Sequence, residues 1–281
     1  MHEKWQLPLE RQAYVWHAPN PQANLLLQHG YGEYAERFVR LYNELIPRLL
    51  EHNISVYAFD MHGHGGSTGK RGMTNVEYAV QDHLKARKAL ADKPEPLFLF
   101  GHSLGGLITA SSIALDQSGV AGVILTSPAL PQHNILLRLL ARVLAAVVPE
   151  VPAPLHPDDP TLLSRLPEIA EDAINDVMRY QGRLPNLVAS SALIRTRANR
   201  KHYPGWKVPT LILHGTEDRI TDPEGSRKLY EIITSSDKTL HMVEGGYHEL
   251  LNDIGRDEIL QIILDWLMER IPSQSQSEDT G

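Results

Sequence analysis

A serine framed by glycines, an acid just past one apolar run and a histidine just past another are the residues of this 281-residue chain whose spacing invites covalent chemistry. Gly101-His102-Ser103-Leu104-Gly105 fits G-x-S-x-G, a pattern that places a serine on a sharp turn between a strand and a helix. The flanks supply that context. Pro96-Leu97-Phe98-Leu99-Phe100 is a short apolar run suited to a buried strand, and Leu107 to Leu115 is rich in helix formers with small residues interspersed. Glycines two places before and after Ser103 allow a tight turn that holds the serine strained, with its hydroxyl exposed.

A serine hydroxyl is a poor nucleophile at neutral pH, so this chemistry needs a histidine base and a carboxylate to orient it. Thr210 to Leu213 leads into His214-Gly215-Thr216-Glu217-Asp218, which places Asp218 just past the C-terminal end of a strand. Glu217 and Asp222 compete with it. Thr239 to Val243 runs into the glycine loop Glu244 to Glu249, which presents His248 as the base. Among the fourteen histidines, His241 alternates within a strand and reads as structural. His62 and His64 lie in a glycine-rich turn, Asp60 to Ser67, but no third ligand with zinc spacing follows and cysteine is absent, so no metal is expected. A serine attack also needs backbone donors for the oxyanion. One is expected at Leu104, directly after the nucleophile; the other at Tyr31, in Gln28-His29-Gly30-Tyr31-Gly32-Glu33, where two glycines let the amide turn into the site. A plain flexible turn is the alternative for that segment.

The order Ser103, Asp218, His248 is that of α/β-hydrolases. His29-Gly30-Tyr31-Gly32-Glu33, with Arg37 four residues on, resembles the HGxGE segment of monoacylglycerol lipases, and Gly101 to Gly106 resembles their GHSxGG. Asp60 to Ser67, His214 to Asp218, Gly246-Tyr247-His248-Glu249, Asn175-Asp176 and Gly182-Arg183 also look like segments of bacterial monoacylglycerol lipases and related lysophospholipases, S33-like hydrolases. The resemblance covers nearly the whole chain. It implies the triad Ser103, Asp218 and His248, with the Tyr31 and Leu104 amides as the oxyanion hole. Leu104 stands where many members carry Met, a small departure because the donor is backbone. Tyr31 is bulkier than the residue often found there, which implies a narrower pocket entrance.

The elements that must position these groups alternate. Arg11 to His17 begins an edge-strand region, Asn24 to Leu27 is a core strand, Ala35 to Leu50 a helix bent or shortened at Pro47, and Ser55 to Phe59 a strand. Thr74 to Lys93 is a helix, the elbow strand follows, and then a strand over Gly119 to Thr126. Such alternation predicts a mostly parallel sheet flanked by helices. The rhythm stops from about Ala129 to Lys207 and resumes at Thr210, ending in a helix over Asp257 to Ile271. The expected organisation is therefore a hydrolase core of 1–128 and 208–272, a helical cap inserted at 129–207 before the strand that leads to Asp218, and a disordered polar tail at 273–281. Within the cap, helical patterns cover Asn134 to Val148, Pro167 to Tyr180 and Asn186 to Ala198. The first carries an apolar stripe, Ile135, Leu136, Leu139, Leu140, Val143 and Val147, which is either cap core or a face for acyl chains or lipid. Leu136, Leu139, Leu140 and Val143 are the candidate substrate contacts.

Net charge of −7 offers no basic patch for nucleic acid. No cysteine and no apolar leader fit a cytoplasmic protein, with peripheral membrane contact through the cap. The expected activity is hydrolysis of fatty acyl esters, monoacylglycerols first, without cofactor or metal. Lysophospholipase and general carboxylesterase activities are the near alternatives. A proline-iminopeptidase-type peptidase would need acids in the cap for a substrate amine, from Asp158, Asp159, Glu168, Glu171 and Asp172. A non-catalytic hydrolase-fold binding protein would keep the pocket without the chemistry.

Overall fold

A computed structural model describes residues 2–131, 143–153 and 159–272. Eight strands form one sheet: β1 (Glu3–Lys4), β2 (Ala13–Trp16), β3 (Ala23–Gln28), β4 (Ile54–Phe59), β5 (Leu97–His102), β6 (Gly122–Thr126), β7 (Thr210–Gly215) and β8 (Lys238–Val243). Their spatial order is β1-β2-β4-β3-β5-β6-β7-β8, with β1 and β2 antiparallel and the rest parallel. This is the mostly parallel, helix-flanked sheet that the alternation predicts, and the α/β-hydrolase fold that the triad order and the resemblance imply. Because β3 to β8 run the same way, the loops after β3, β5, β7 and β8 emerge along one edge of the sheet. The register puts Gln28 opposite Gly101 and His102 opposite Thr126, so the loop before Glu33 and the turn at Ser103 start level.

The central strands are buried at every position, as expected for strands covered on both faces. Alternate side chains serve different cores. Leu26, Tyr57, Phe59 and Leu99 pack with the helices Val76–Ala89 and Leu104–Leu115, whereas Leu25, Leu27, Val56, Phe98 and Phe100 pack with Phe38, Leu45, Ile46 and the helix Arg256–Met268. Each strand's period of two thus supports two helical layers.

Two local expectations are corrected and one helix is added. The pattern Ala35 to Leu50 is not one helix but Arg37–Arg40, a 3-10 turn Tyr42–Glu44 and Leu45–Glu51. The break lies ahead of Pro47, at three successive left-handed residues, Tyr42, Asn43 and Glu44. Pro47 is harmless, because in the first turn of Leu45–Glu51 its missing N–H would have no helical acceptor. A helix at Pro223–Ile232 was not anticipated; Asp222 caps it by accepting the Glu224 N–H at 2.9 Å. Finally, the edge strand is β1, with β2 paired on both sides.

Between β6 and β7 the described residues are helical or irregular apart from one isolated antiparallel bridge, Pro152 with Pro185. Residues 143–147 are helical, and Pro167–Asn175 and Asn186–Asn199 are helices. The last is joined to the core layer, packing on Leu104–Leu115 and Val76–Ala89. Asn199 Nδ2 donates to Ser111 Oγ at 2.8 Å, Arg195 Nη1 reaches Glu77 at 2.9 Å, and Val76 N–H donates to Ser191 Oγ at 3.1 Å. No helix of the described residues is long and apolar enough to cross a membrane. The tail expectation for 273–281 and most of the Asn134 to Val148 pattern lie outside the described residues.

Burial depresses His64, His83 and His102 to a pKa of about 3, against an ordinary 6.5, so all three are neutral when folded. Below pH 6.5 the unfolded chain binds protons that the folded chain refuses, so stability falls as the pH drops from 6.5 towards 3. His83, packed between two helices with Nε2 3.5 Å from Thr109 Oγ1, isolates the effect. At pH 5, His83→Gln is expected to reduce the protons taken up on unfolding by about one, read from the pH dependence of the urea-unfolding free energy. Unchanged uptake would contradict the burial argument.

Candidate active site

Ser103 occupies the turn between β5 and Leu104–Leu115 with φ 53° and ψ −119°, a conformation that strains a non-glycine residue. The flanking glycines explain how the strain is held. Neither has a positive φ; both are sites of close approach. A Cβ on Gly105 would stand 2.2 Å from the Gln28 carbonyl oxygen, and one on Gly101 would stand 2.6 Å from that of Gly105. The helix start is therefore pressed onto the end of β3, leaving Ser103 at the crest. Ser103 N–H donates to Thr126 O at 3.0 Å, and Ala129 N–H donates to Ser103 O at 2.9 Å.

The three residues singled out from the sequence meet here. Ser103 Oγ lies 2.9 Å from His248 Nε2, and His248 Nδ1 lies 2.8 Å from Asp218 Oδ2. Facing a carboxylate, Nδ1 carries the ring proton, which leaves the Nε2 lone pair to accept from the serine hydroxyl. Asp218 is fully engaged. Its Oδ1 accepts the Ile220 and Thr221 N–H groups at 2.8 and 2.9 Å, and Oδ2 also meets Thr221 Oγ1 at 2.7 Å and His214 Nε2 at 3.1 Å. Burial pushes the Asp218 carboxyl up, but His248 and the hydrogen bonds from His214 and His248 more than reverse this, so it stays well below the usual carboxylate range. Burial likewise pulls His248 down, yet the Asp218 carboxylate outweighs it and holds the imidazole above 6.5. The neighbouring His102 ring, centred 4.9 Å away, is kept neutral by burial, so it puts no like charge beside a protonated His248.

The competing acids have other duties. Glu217 is exposed and 3.8 Å from Arg219, and Asp222 is the helix cap described above. His214, Thr221 and Ser127 were not found from the sequence. His214 donates from the end of β7 around the turn to Asp218, four residues on, while its Nδ1 meets Ser226 Oγ at 2.7 Å. Ser127 Oγ donates to His248 O at 2.7 Å and fixes the backbone that carries the imidazole. The i,i+4 pairing of His214 with Asp218 was the available signal.

The loop after β3 passes directly over the nucleophile: a Cβ on Gly30 would stand 3.2 Å from Ser103 Cβ. Glu33 Oε2 accepts the Gly30 N–H at 3.2 Å, and Tyr180 N–H donates to Gly32 O at 2.8 Å. His29 Nε2 accepts the Met61 N–H at 3.0 Å, so its proton is on Nδ1, which donates to Gly30 O at 2.8 Å. The Tyr31 ring packs on His64 and Tyr180, and its hydroxyl donates to Gly72 O at 3.1 Å. Leu104, first residue of its helix, has an N–H with no intrahelical acceptor, beside the positive end of the helix dipole.

A cleft opens over Ser103 and His248, bordered by Tyr31, Leu163, Leu184 and Ile220 and by the more polar run Arg179 to Gly182. Val143, a predicted substrate contact, is 57% exposed and does not border this cleft; Leu136, Leu139 and Leu140 lie outside the described residues. Of the acids considered for a substrate amine, Asp159 borders the cleft but its carboxylate accepts from Thr161 N–H and Oγ1 at 3.0 and 2.7 Å. Asp172 pairs with Arg37 and Arg40, Glu168 and Glu171 are exposed away from the cleft, and Asp158 lies outside the described residues. His62 is exposed and His64 buried, and no cluster of three metal-ligating side chains occurs among the described residues.

The family model described as serine aminopeptidase, S33, matches residues 19–255. The chain is 29% identical to a monoacylglycerol lipase of Mycolicibacterium smegmatis, covering 90% of each protein, and 32% identical to human monoglyceride lipase, covering 89% of this chain and 84% of that one. It also spans 27% of a longer Dictyostelium discoideum abhydrolase domain-containing protein at 30% identity. The crystal structure of Paleococcus ferrophilus monoacylglycerol lipase matches with TM-score 0.82 and 34% identity, covering 93% of this chain and all of that one. With the fold, the elbow and the matched length in agreement, the chain belongs to the serine aminopeptidase S33 family of α/β-hydrolases.

Proposed function

We propose that this protein is a serine esterase that hydrolyses monoacylglycerols to glycerol and free fatty acid. The observation that carries the reading is the unbroken hydrogen-bond chain Ser103–His248–Asp218, 2.9 and 2.8 Å, at the floor of a cleft bordered by Leu163, Leu184 and Ile220. Ser103 Oγ attacks the ester carbonyl as its proton passes to His248 Nε2, and the Asp218 carboxylate stabilises the imidazolium. The Tyr31 and Leu104 amides receive the oxyanion. His248 then protonates the leaving glycerol oxygen, and a water activated by the same nitrogen releases the fatty acid from the acylated serine.

The segment 129–207 acts in this reading as a cap that holds the acyl chain. Its exposed Val143, Val147, Ile174 and Val177 support peripheral contact with lipid, and the lack of cysteine supports a cytoplasmic setting. The lipase relatives favour a neutral ester over an amine-bearing peptide, and so do the pairings of Asp159 and Asp172. The test is a substrate panel of 1-monooleoylglycerol, lysophosphatidylcholine and a prolyl arylamide. The highest kcat/KM is expected for the glyceride; cleavage of the arylamide above both esters would overturn the assignment.

Ser103→Ala and His248→Ala are each expected to abolish nearly all turnover, and the double variant to lose little more, because triad members act as a unit. Additive losses would count against it. Asp218→Asn should keep the fold and cut kcat by about 10⁴-fold, since the imidazole is then held in the wrong tautomer.

His248 must be neutral to accept the serine proton and is held above 6.5, so kcat/KM should fall as the pH drops through an apparent pKa above 6.5. A short soluble ester measures this limb, and a midpoint below 6 would contradict the pairing with Asp218.

A further inference from the structure

Arg37 is a fully buried arginine outside the triad, and its guanidinium faces two parts of the chain at once. On one side its Nε lies 3.3 Å from Glu33 Oε1, on the loop that passes over Ser103. On the other its Nη1 meets Asp176 Oδ2 at 2.6 Å and Asp172 Oδ2 at 3.1 Å, both from the segment between β6 and β7. Tyr34 O–H also donates to Asp176, at 3.0 Å, and the Tyr180 N–H reaches Gly32 O at 2.8 Å. Glu33 passes the connection inward, because its Oε2 accepts the N–H of Gly30, the residue before Tyr31.

We propose that Arg37 is a positioning residue that couples the seating of residues 167–180 to the oxyanion hole, so that the Tyr31 amide is in place only when Asp172 and Asp176 hold Arg37 against Glu33. The inference rests on the esterase reading above. Buried charges explain why the coupling is steep. If the insert withdraws, Arg37 loses both aspartates, and a guanidinium out of water is left with the buried Glu33 and Glu249 to balance it. Glu33, whose Oε1 also accepts the Tyr42 O–H, is then drawn further towards Arg37, which loosens its hold on the Gly30 N–H and with it the orientation of the following amide. Arg40 touches the same two aspartates and the Tyr34 hydroxyl, but it is 53% exposed and pairs with neither Glu33 nor Gly30, so it offers a control.

The variants Arg37→Gln, Arg37→Lys, Asp176→Asn, Tyr34→Phe and Arg40→Gln are compared in the full chain, well below their melting temperatures. Three quantities are read: kcat and KM for p-nitrophenyl butyrate, and Ki for an alkyl boronic acid, whose tetrahedral serine adduct places an oxygen where the oxyanion forms. Losing one oxyanion donor costs about 10²–10³ in kcat, so a displaced donor in Arg37→Gln or Asp176→Asn should cost about 10–100-fold, with KM within about threefold. Boronate affinity should weaken in the same proportion. Arg37→Lys and Tyr34→Phe should retain more activity than these two, and Arg40→Gln should stay within about twofold of the parent. Lower melting temperatures with unchanged kcat and Ki in Asp176→Asn and Tyr34→Phe would reduce Arg37 to a structural ion pair and overturn the inference, even if Arg37→Gln fails to fold. Failure of the boronate to inhibit the unaltered protein would instead overturn the esterase reading, and the inference with it.

Discussion

Everything around the nucleophile depends on keeping one carboxylate, Asp218, ionised out of water. An isolated buried charge would be neutralised by a proton, but five donors from the Ile220 and Thr221 amides, the Thr221 hydroxyl, His214 and His248 face its two oxygens. The carboxylate in turn sets the proton of His248 on Nδ1 and raises its basicity against the burial that would lower it. The turn after β7 exists to converge those donors. In this arrangement the serine hydroxyl, 2.9 Å from Nε2, faces an unprotonated ring nitrogen.

The same edge of the sheet is shaped by contact distances more than by torsional freedom. Gly101 and Gly105 are required because backbone oxygens stand where side chains would be, and the strain that results falls on Ser103. Three further elements are pinned to this edge: the loop over the serine through Glu33, the base's loop through Ser127, and the insert through Asp172, Asp176 and Tyr180. Such a site can be rigid at the reacting atoms while its outer wall belongs to a segment with fewer ties to the sheet.

Much of this was legible in the sequence, because parallel strands buried on both faces leave short apolar runs and place their loops at one edge. Ser103, Asp218 and His248 each follow such a run, and the structure brings them together. What was not legible depended on partners far along the chain. The break at Tyr42–Glu44 is held by the Tyr42 hydroxyl on Glu33 at 2.5 Å and by the Tyr42 N–H on Asn252 Oδ1, contacts that no local pattern announces. Asp222 was weighed as the triad acid, yet Asp222-Pro223-Glu224 carries a readable helix-start signal, a capping acid followed by proline. Asp172 was weighed as an amine-binding acid, and only the fold shows it facing Arg37. The helix Asn186–Asn199 was legible from its pattern, but the ties of its Ser191, Arg195 and Asn199 to the core helices were not.

The central claim is that Ser103, activated by this buried pair, is acylated during turnover. Rapid acid quenching of the enzyme within its first turnovers on 1-monooleoylglycerol, followed by peptide mass spectrometry, reads it directly. The account predicts an oleoyl group on the peptide carrying Ser103, formed no later than the first equivalent of glycerol and absent in Ser103→Ala. Glycerol release at the full rate with no acyl group on that peptide, or with the acyl group on another residue, would contradict it.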